Sequence, residues 1–271
     1  MKVSDCHLGF IGFGHMAQVL FKAIDRAKLI PRSQVHFIRR DRDKMKQNEQ
    51  EFGLTSTSLE HLVDRSNILI LGVRPAQAEL VLEHLKRLHL DASKLVISVL
   101  AGVQLSYYRK FLKNPLLRVM PNIASDVAMG MSVFTYSQNT SNELRSLAHI
   151  LFSCMGEVME VPESMMDIAC GMAGSGPGFV FRLIQAMARE GEKEGLASPQ
   201  ALKMAAQTFM GAAKLVLKKG ETEVLLQQIA TPNGTTEAGL RMMTSSRMDE
   251  QLQAVIAASA KRSKELSQEY Q

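Results

Sequence analysis

Leu8-Gly9-Phe10-Ile11-Gly12-Phe13-Gly14-His15-Met16-Ala17 reads as a short buried strand that runs into a glycine turn and then a helix. Apolar residues from Leu8 to Ile11 precede the turn, and Met16, Val19, Leu20, Ala23 and Ile24 recur after it at helical spacing. The spacing Gly12-x-Gly14-x-x-Ala17 is physically coherent. Gly12 permits a tight turn, Gly14 lacks the Cβ that would obstruct a phosphate, and Ala17 is small enough for the helix to lie against the strand. The first free N–H groups of that helix, with its dipole, then face an incoming anion such as a nucleotide pyrophosphate. A strand-to-helix turn without a ligand has the same short pattern, so the reading depends on its context.

That context begins with Gln34-Val35-His36-Phe37-Ile38, a second strand that closes a βαβ unit of the length of a mononucleotide-binding half. Its end bears on the cofactor. Arg39 and Arg40 offer guanidinium forks suited to the 2′-phosphate of NADP, whereas Asp41 two residues on keeps NAD possible through the ribose hydroxyl. The same arginines belong to a basic run, Arg26, Lys28, Arg32, Arg39, Arg40, Arg42, Lys44 and Lys46. An anionic ligand or a plain solvated surface accounts for such a run. Nucleic acid would require stacking aromatics among the cations, and only Phe37 is there.

Further apolar runs follow the same rhythm. Asn67–Val73 reads as a third strand, apolar on both faces like a central parallel strand, and ends at Arg74-Pro75. Lys94–Val99 is the fourth, followed by Leu100-Ala101-Gly102, and Leu116–Met120 the fifth, ending at Pro121-Asn122. Open α/β sheets bind ligands at the carboxyl ends of their strands. The expected cofactor contacts are therefore Gly12, Phe13, Gly14, His15 and Met16 in the first turn, with Arg39, Arg40, Val73, Arg74, Pro75, Ala101 and Asn122 after the later strands. Residues 131–136 and 156–161 read as last strands around a helix from Asn142 to Cys154. From Pro162 onward no strand pattern appears, and helices are expected over 164–172, 177–195, 199–218, 221–229, 236–245 and 248–267.

The sequence thus predicts an α/β Rossmann-type N-terminal domain over residues 1–162, followed by an all-α dimerisation and substrate-binding domain over 163–271. The helix after Pro177 is apolar nearly all round its first half, which points to a helix–helix dimer. With 271 residues, 46% hydrophobic and 22% charged, and a net charge of +5, the composition is that of an ordinary globular chain. No apolar run approaches the ~18 residues that cross a bilayer, and the start does not read as a signal peptide, so a cytoplasmic location is expected. Cys6, Cys154 and Cys170 are far apart and form no Cys-x-x-Cys pair, so neither a disulfide framework nor a metal site is expected.

Two stretches in the helical half stand out. Ala173-Gly174-Ser175-Gly176-Pro177-Gly178 interrupts two helices, with Ser175 placed as an N-cap and Pro177 near the first helical position. Thr231-Pro232-Asn233-Gly234-Thr235-Thr236-Glu237 opens another helix, which either caps itself or holds a small carboxylate with backbone donors. Around them the chain resembles the pyrroline-5-carboxylate reductase family. The resemblance is carried by Gly9–Ala17, Val73-Arg74-Pro75, Met120-Pro121-Asn122, Gly174-Ser175-Gly176-Pro177, Gln207–Lys214 and Ile229–Leu240, nearly end to end.

That resemblance implies NAD(P)H along the sheet edge, with NADPH preferred and NADH possible, and reduction of the cyclic imine 1-pyrroline-5-carboxylate to L-proline, the last step of proline synthesis. It implies that Thr236 hydrogen-bonds the substrate, that the Gly234 and Thr235 N–H groups take its carboxylate beside Asn233, and that Ser175 shapes the pocket. The two helix beginnings, one per half, would then meet across a cleft. Arg74, Ile123-Ala124 and Asn233 depart from the family's usual Lys, Thr-Pro and Gly. Asn233 can adopt left-handed angles and is tolerated in the family pattern, whereas Arg74 and Ile123 leave as alternatives a non-catalytic NADP-binding regulatory paralogue or a reductase of another imine or 3-hydroxy acid. A β-hydroxyacid dehydrogenase would need a lysine one turn after the glycine junction, and no lysine lies between Ser175 and Arg189.

Overall fold

Four-residue apolar runs become the central strands of one sheet because each is buried on both faces. The computed structural model describes residues 2–270; the outermost residues of the two expected domains, Met1 and Gln271, lie outside them. In chain order the first part comprises β1 (Leu8–Ile11), α1 (His15–Arg26), β2 (Val35–Ile38), α2 (Arg42–Phe52), β3 (Thr55–Ser56), α3 (Leu59–Arg65) and β4 (Ile68–Leu71). It continues with α4 (Ala78–Arg87), β5 (Leu95–Ser98), α5 (Leu105–Arg109), β6 (Leu116–Met120), β7 (Gly130–Tyr136), α6 (Asn142–Ser153), β8 (Gly156–Glu160) and α7 (Met166–Ala169). The strands form an eight-stranded sheet in the order β3-β2-β1-β4-β5-β6-β7-β8. Pairing is parallel from β3 to β6, β7 runs antiparallel to β6, and β8 is parallel to β7. This is the Rossmann-type arrangement, with its topological switch point between β1 and β4.

Alternation along β4 shows why the strand is apolar throughout. Ile68 and Ile70 enter one core cluster with Leu8 and Phe10, while Leu69 and Leu71 enter the other with Leu82 and Leu85. Phe13, fully buried, is the hub of the first cluster. Its ring lies 4.7 Å from Phe37, 5.4 Å from Phe10, 5.5 Å from Phe52 and 6.1 Å from Phe21. Each such pair contributes about 0.5–1.5 kcal/mol beyond its buried area, so the residue between the two turn glycines is anchored in the core.

The sequence reading did not place β3, α2, α3 or α5. It also expected a uniform helix over 164–172 and an N-cap at Ser175. Instead, a 3₁₀ turn (Glu163–Met165) leads into α7 and then into a π-helical turn, Cys170–Gly174. Ser175 has right-handed helical angles (φ −88°, ψ −23°) and its N–H donates to the Cys170 carbonyl at 2.8 Å, so it extends the helix and caps nothing.

The compact units divide after Ser175, later than the expected boundary at Pro162, and Ala258–Gln271 belongs with the first. The π-turn and its partners on the sheet side explain the shift, since Ala101, Cys170 and Ala173 pack on one small cluster around Met120, Val133 and Met166. The second unit, Gly176–Ala257, holds α8 (Gly176–Lys193), α9 (Ser198–Lys219), α10 (Thr222–Ile229), α11 (Thr235–Ser245) and the start of α12 (Met248–Gln268). Within the described residues its buried hydrophobic cluster is Ala188, Ala201 and Ala205, with Ile184 packed against them.

Two predictions follow from this packing. Gly12 has φ +86°, and a Cβ there would stand 2.8 Å from the Gly72 carbonyl carbon and the Val73 nitrogen, whereas one on Gly14 would meet nothing nearer than the Gly72 carbonyl oxygen at 3.8 Å. Gly12→Ala is therefore expected to cost about 2 kcal/mol or more and Gly14→Ala to leave Tm within about a degree, as followed by thermal circular dichroism. Burial pushes the Cys6 and Cys154 thiols up to about 11, so about a thousandth of either is ionised at pH 8. A disulfide exchange reagent at that pH is expected to modify both over a hundredfold more slowly in the native chain than in guanidinium.

Candidate active site

At the carboxyl edge of β1, β2 and β4 the turns open a cleft of about 500 Å³. Its walls include Ile11, Gly12, Phe13, Gly14, Ile38, Arg39, Arg40, Gly72, Val73 and Arg74. The floor is glycine by necessity: a Cβ on Gly72 would stand 2.7 Å from the Gly12 carbonyl oxygen and 3.3 Å from Ala17 Cβ. The open space above Gly14 and the first N–H groups of α1, whose start has no side-chain cap, form a cradle with the dimensions and polarity for a phosphate. The residues present therefore fit a dinucleotide's pyrophosphate.

The two arginines after β2 have different tasks. Arg39, expected to grip a 2′-phosphate, turns inward; its Nη1 donates to the Phe13 carbonyl at 3.1 Å and to Asn48 Oδ1 at 2.9 Å. It braces the glycine turn against α2, sharing the Phe13 carbonyl with Gln18 Nε2 at 3.2 Å and supplying the donor for buried Asn48. Arg40 is exposed on the cleft wall with Lys44 beside it. Asp41 is the N-cap of α2 and accepts the Lys44 N–H at 3.1 Å, which holds its carboxyl below the usual carboxylate range. It caps α2 and at the same time lines the cleft between Arg40 and Lys44. The rest of the basic run disperses: Arg32 forks onto Asp25 at 2.6 and 2.8 Å, and Arg26 reaches the Asp126 and Cys154 carbonyls.

Other expected residues lie on or near this edge. His15 is exposed and Met16 packs on the core in the first turn of α1, and Pro75 opens a 3₁₀ turn after Arg74. Ala101 and Asn122 follow β5 and β6, outside the cleft wall. Asn122 is buried, and its Nδ2 donates to the Ala173 carbonyl at 3.0 Å, tying the end of β6 to the π-turn. Ser175 Oγ accepts from Ser259 Oγ at 3.0 Å. The reading named Lys44 within the basic run and missed Leu59, Gln77, Leu80, Val81 and His84 on the cleft. For Leu80 a signal existed: it lies out of phase with Ala78, Leu82 and Leu85, which face the core, and is exposed.

In the second unit, the start of α11 has no side-chain cap. Gly234 is its N-cap and supplies no side chain, and Asn233 adopts φ +58°, a left-handed conformation that asparagine tolerates. Glu237 reaches back so that its carboxylate accepts the Asn233 N–H at 2.7 Å, and Gly234 N–H donates to the Thr231 carbonyl at 2.9 Å. No side chain caps the first turn that holds Thr235 and Thr236. A carboxylate is the ligand such an end receives best.

A larger hollow of about 760 Å³ lies beside the amino end of β6, lined by Arg109, Tyr136, Glu160 and Glu163 among others. Its charged groups are already committed: Arg109 to the Leu112 and Asn114 carbonyls, Glu160 to Arg145, and Glu163 to the Leu105 N–H and Arg118. The glycine-floored cleft, with Arg40 and Lys44 uncommitted to the core, is the site with chemistry to offer. Among the described residues no group of three or more His, Cys, Asp or Glu is placed to hold a metal ion.

Comparison with known proteins matches each part of the chain to a family. Residues 163–266 match the family described as pyrroline-5-carboxylate reductase dimerisation, and residues 7–102 match NADP oxidoreductase coenzyme F420-dependent. The chain is 36% identical over 265 residues to pyrroline-5-carboxylate reductase 1 of Bacillus spizizenii, covering 96% of this chain and 89% of the relative. It is 35% identical to pyrroline-5-carboxylate reductase of Methanosarcina acetivorans, with 96% and 97% covered. Among solved structures, the Plasmodium falciparum pyrroline carboxylate reductase with NADP bound superposes with a TM-score of 0.88 at 25% identity, covering 97% of this chain and 99% of that one. The Coxiella burnetii pyrroline-5-carboxylate reductase gives 0.88 at 27% identity, with 97% and 98% covered. Matched along almost its whole length at this level of identity, the chain belongs to the pyrroline-5-carboxylate reductase family.

Proposed function

We propose that this chain reduces 1-pyrroline-5-carboxylate to L-proline with NADPH preferred and NADH accepted, acting in the cytoplasm as a homodimer or a higher oligomer of dimers. The observation that supports it most directly is the cleft, where a glycine floor leaves room for a pyrophosphate and Arg40 and Lys44 stand at the end of β2. The bound dinucleotide supplies a hydride to the C=N carbon of the imine. The chain's own residues bind and orient. Backbone N–H groups of Gly234 and Thr235 hold the substrate carboxylate beside Asn233, and the Thr236 hydroxyl orients the ring nitrogen. Ser175 shapes the pocket by its place at the end of the π-turn. The imine nitrogen accepts its proton before hydride arrives, so rate acceleration comes mainly from positioning.

Self-association is supported by what the helical unit leaves uncovered. Phe181, Leu202, Met204, Met210 and Leu217 are all more than half exposed, while its own buried cluster is three alanines. Apolar surface on that scale is covered by a partner. No described helix is long and apolar enough to cross a membrane.

The decisive assay is oxidation of NADPH on addition of pyrroline-5-carboxylate; binding of NADPH without turnover overturns the reading. Arg40→Ala is expected to raise the KM for NADPH about tenfold and leave that for NADH within twofold, the difference being one lost charge-assisted contact, about 1.4 kcal/mol. Thr236→Ala is expected to lower kcat/KM for the imine about tenfold with the KM for NADPH unchanged, measured by initial rates at saturating imine and dinucleotide in turn.

A further inference from the structure

The end of the chain is placed where nothing in the reaction just described calls for it. The last part of α12 lies along the segment from α7 through the π-turn, and three contacts fix it there. Asp167 Oδ1 accepts from Ser263 Oγ at 2.7 Å, with Ser267 Oγ 3.4 Å away; Ser263 and Ser267 are both buried. One and two turns further toward Ser175, Ser259 Oγ donates to Ser175 Oγ at 3.0 Å. At the far end Tyr270 meets the Tyr107 ring edge-on at 5.9 Å.

Between these anchors the helix touches the turn after β5. Gly102 is buried, has φ +78°, and a Cβ on it would stand 3.1 Å from Leu266 Cβ and 3.3 Å from the Leu266 carbonyl carbon. The same turn is held at both ends. Ser98 Oγ accepts the Leu100 N–H at 3.2 Å, and Glu163 Oε1 accepts the Leu105 N–H at 2.7 Å. Ala101 in the middle packs on Met120 and Met166.

In a doubly wound sheet the dinucleotide crosses the carboxyl edge, one nucleotide on each side of the switch point. The cleft with Arg40 and Lys44 covers the β1–β2 side. The turn after β5 and the Asn122 end of β6 belong to the other half, which receives the nicotinamide. We propose that residues 258–270 act as a positioning strut for hydride transfer: docked through Asp167 and Ser263, they fix the Ala101-Gly102 turn that receives the nicotinamide half of the dinucleotide. Asp167, Gly102, Ser263 and Leu266 are positioning residues in this account; none touches the reacting atoms. The proposal rests on the reductase reading for the identity of the dinucleotide and for nothing else.

The test compares two ligands of the full-length chain. NADPH spans both halves of the sheet edge, and 2′,5′-ADP occupies only the adenosine half. Asp167→Ala, Ser263→Ala and Gly102→Ala are expected to weaken NADPH, followed by its fluorescence, at least threefold, and to leave 2′,5′-ADP, followed by calorimetry, within twofold. Asp167→Asn keeps an acceptor oxygen and is expected to restore the wild-type ratio of the two dissociation constants. In turnover, kcat is expected to fall about tenfold in the alanine variants.

An unchanged ratio in Asp167→Ala and Ser263→Ala overturns the strut, whatever happens to kcat. So does an equal loss of both ligands, which is the mark of a general loss of structure. Should Gly102→Ala fail to fold, the two variants at the anchor carry the test. Absence of turnover by the wild-type chain defeats the reductase reading, while the ratio of the two binding constants still decides the strut.

Discussion

Two glycines that leave no room for each other's side chains set the geometry of the sheet edge. Gly12 follows β1 with a positive φ, and any Cβ there meets the backbone of Gly72 and Val73; Gly72 follows β4, and any Cβ there meets the carbonyl of Gly12. The two turns are thereby locked at backbone contact on either side of the switch point. From this contact follow the close seating of α1 through Ala17 and the shallow floor of the cleft. Phe13 then transmits the lock to the interior, since its ring is ringed by four other phenylalanines while its carbonyl is held by Arg39. A local steric constraint and the main apolar core therefore stabilise the same three residues.

Much of this was legible in the sequence. Strands buried on both faces are continuous apolar runs, and β1, β4, β5 and β6 were found within one or two residues for that reason. The helices from α8 to α12 were found by their period. What escaped notice was polar. α2 reads Arg-Asp-Lys-Met-Lys-Gln-Asn-Glu-Gln-Glu-Phe, with two apolar residues to set a period, and its ends are marked instead by the Asp41 cap and the left-handed Gly53. Seen as charge it suggested a ligand; seen as backbone it is a capped helix. β3 is two residues long and α5 five, too short for any periodicity to register.

The candidate site was legible in part, and the boundary is physical. Residue type and spacing located the glycine turn, the basic end of β2 and the Gly234-Thr235-Thr236 helix start. They did not tell which of two adjacent guanidiniums turns inward, because that depends on Asn48, nine residues on and brought close by α2. Nor did they reveal that Ser175 closes a π-turn with right-handed helical angles. A π-turn leaves no signature in hydrophobic spacing, and Gly-Ser-Gly-Pro looks like punctuation whether the backbone stops there or widens by one residue. Pro177, four residues on, has no N–H to offer the Ala173 carbonyl, which accepts from Asn122 instead, so this contact joins the end of β6 to the π-turn.

The alanine cluster of the second unit has a consequence for how the protein behaves in solution. A unit whose interior consists of Ala188, Ala201 and Ala205 draws its cohesion from whatever covers its outer faces, and that contribution follows mass action. The sheet, complete in its own interior, is indifferent to dilution. The helices, left with exposed apolar faces, draw on whatever surface covers them.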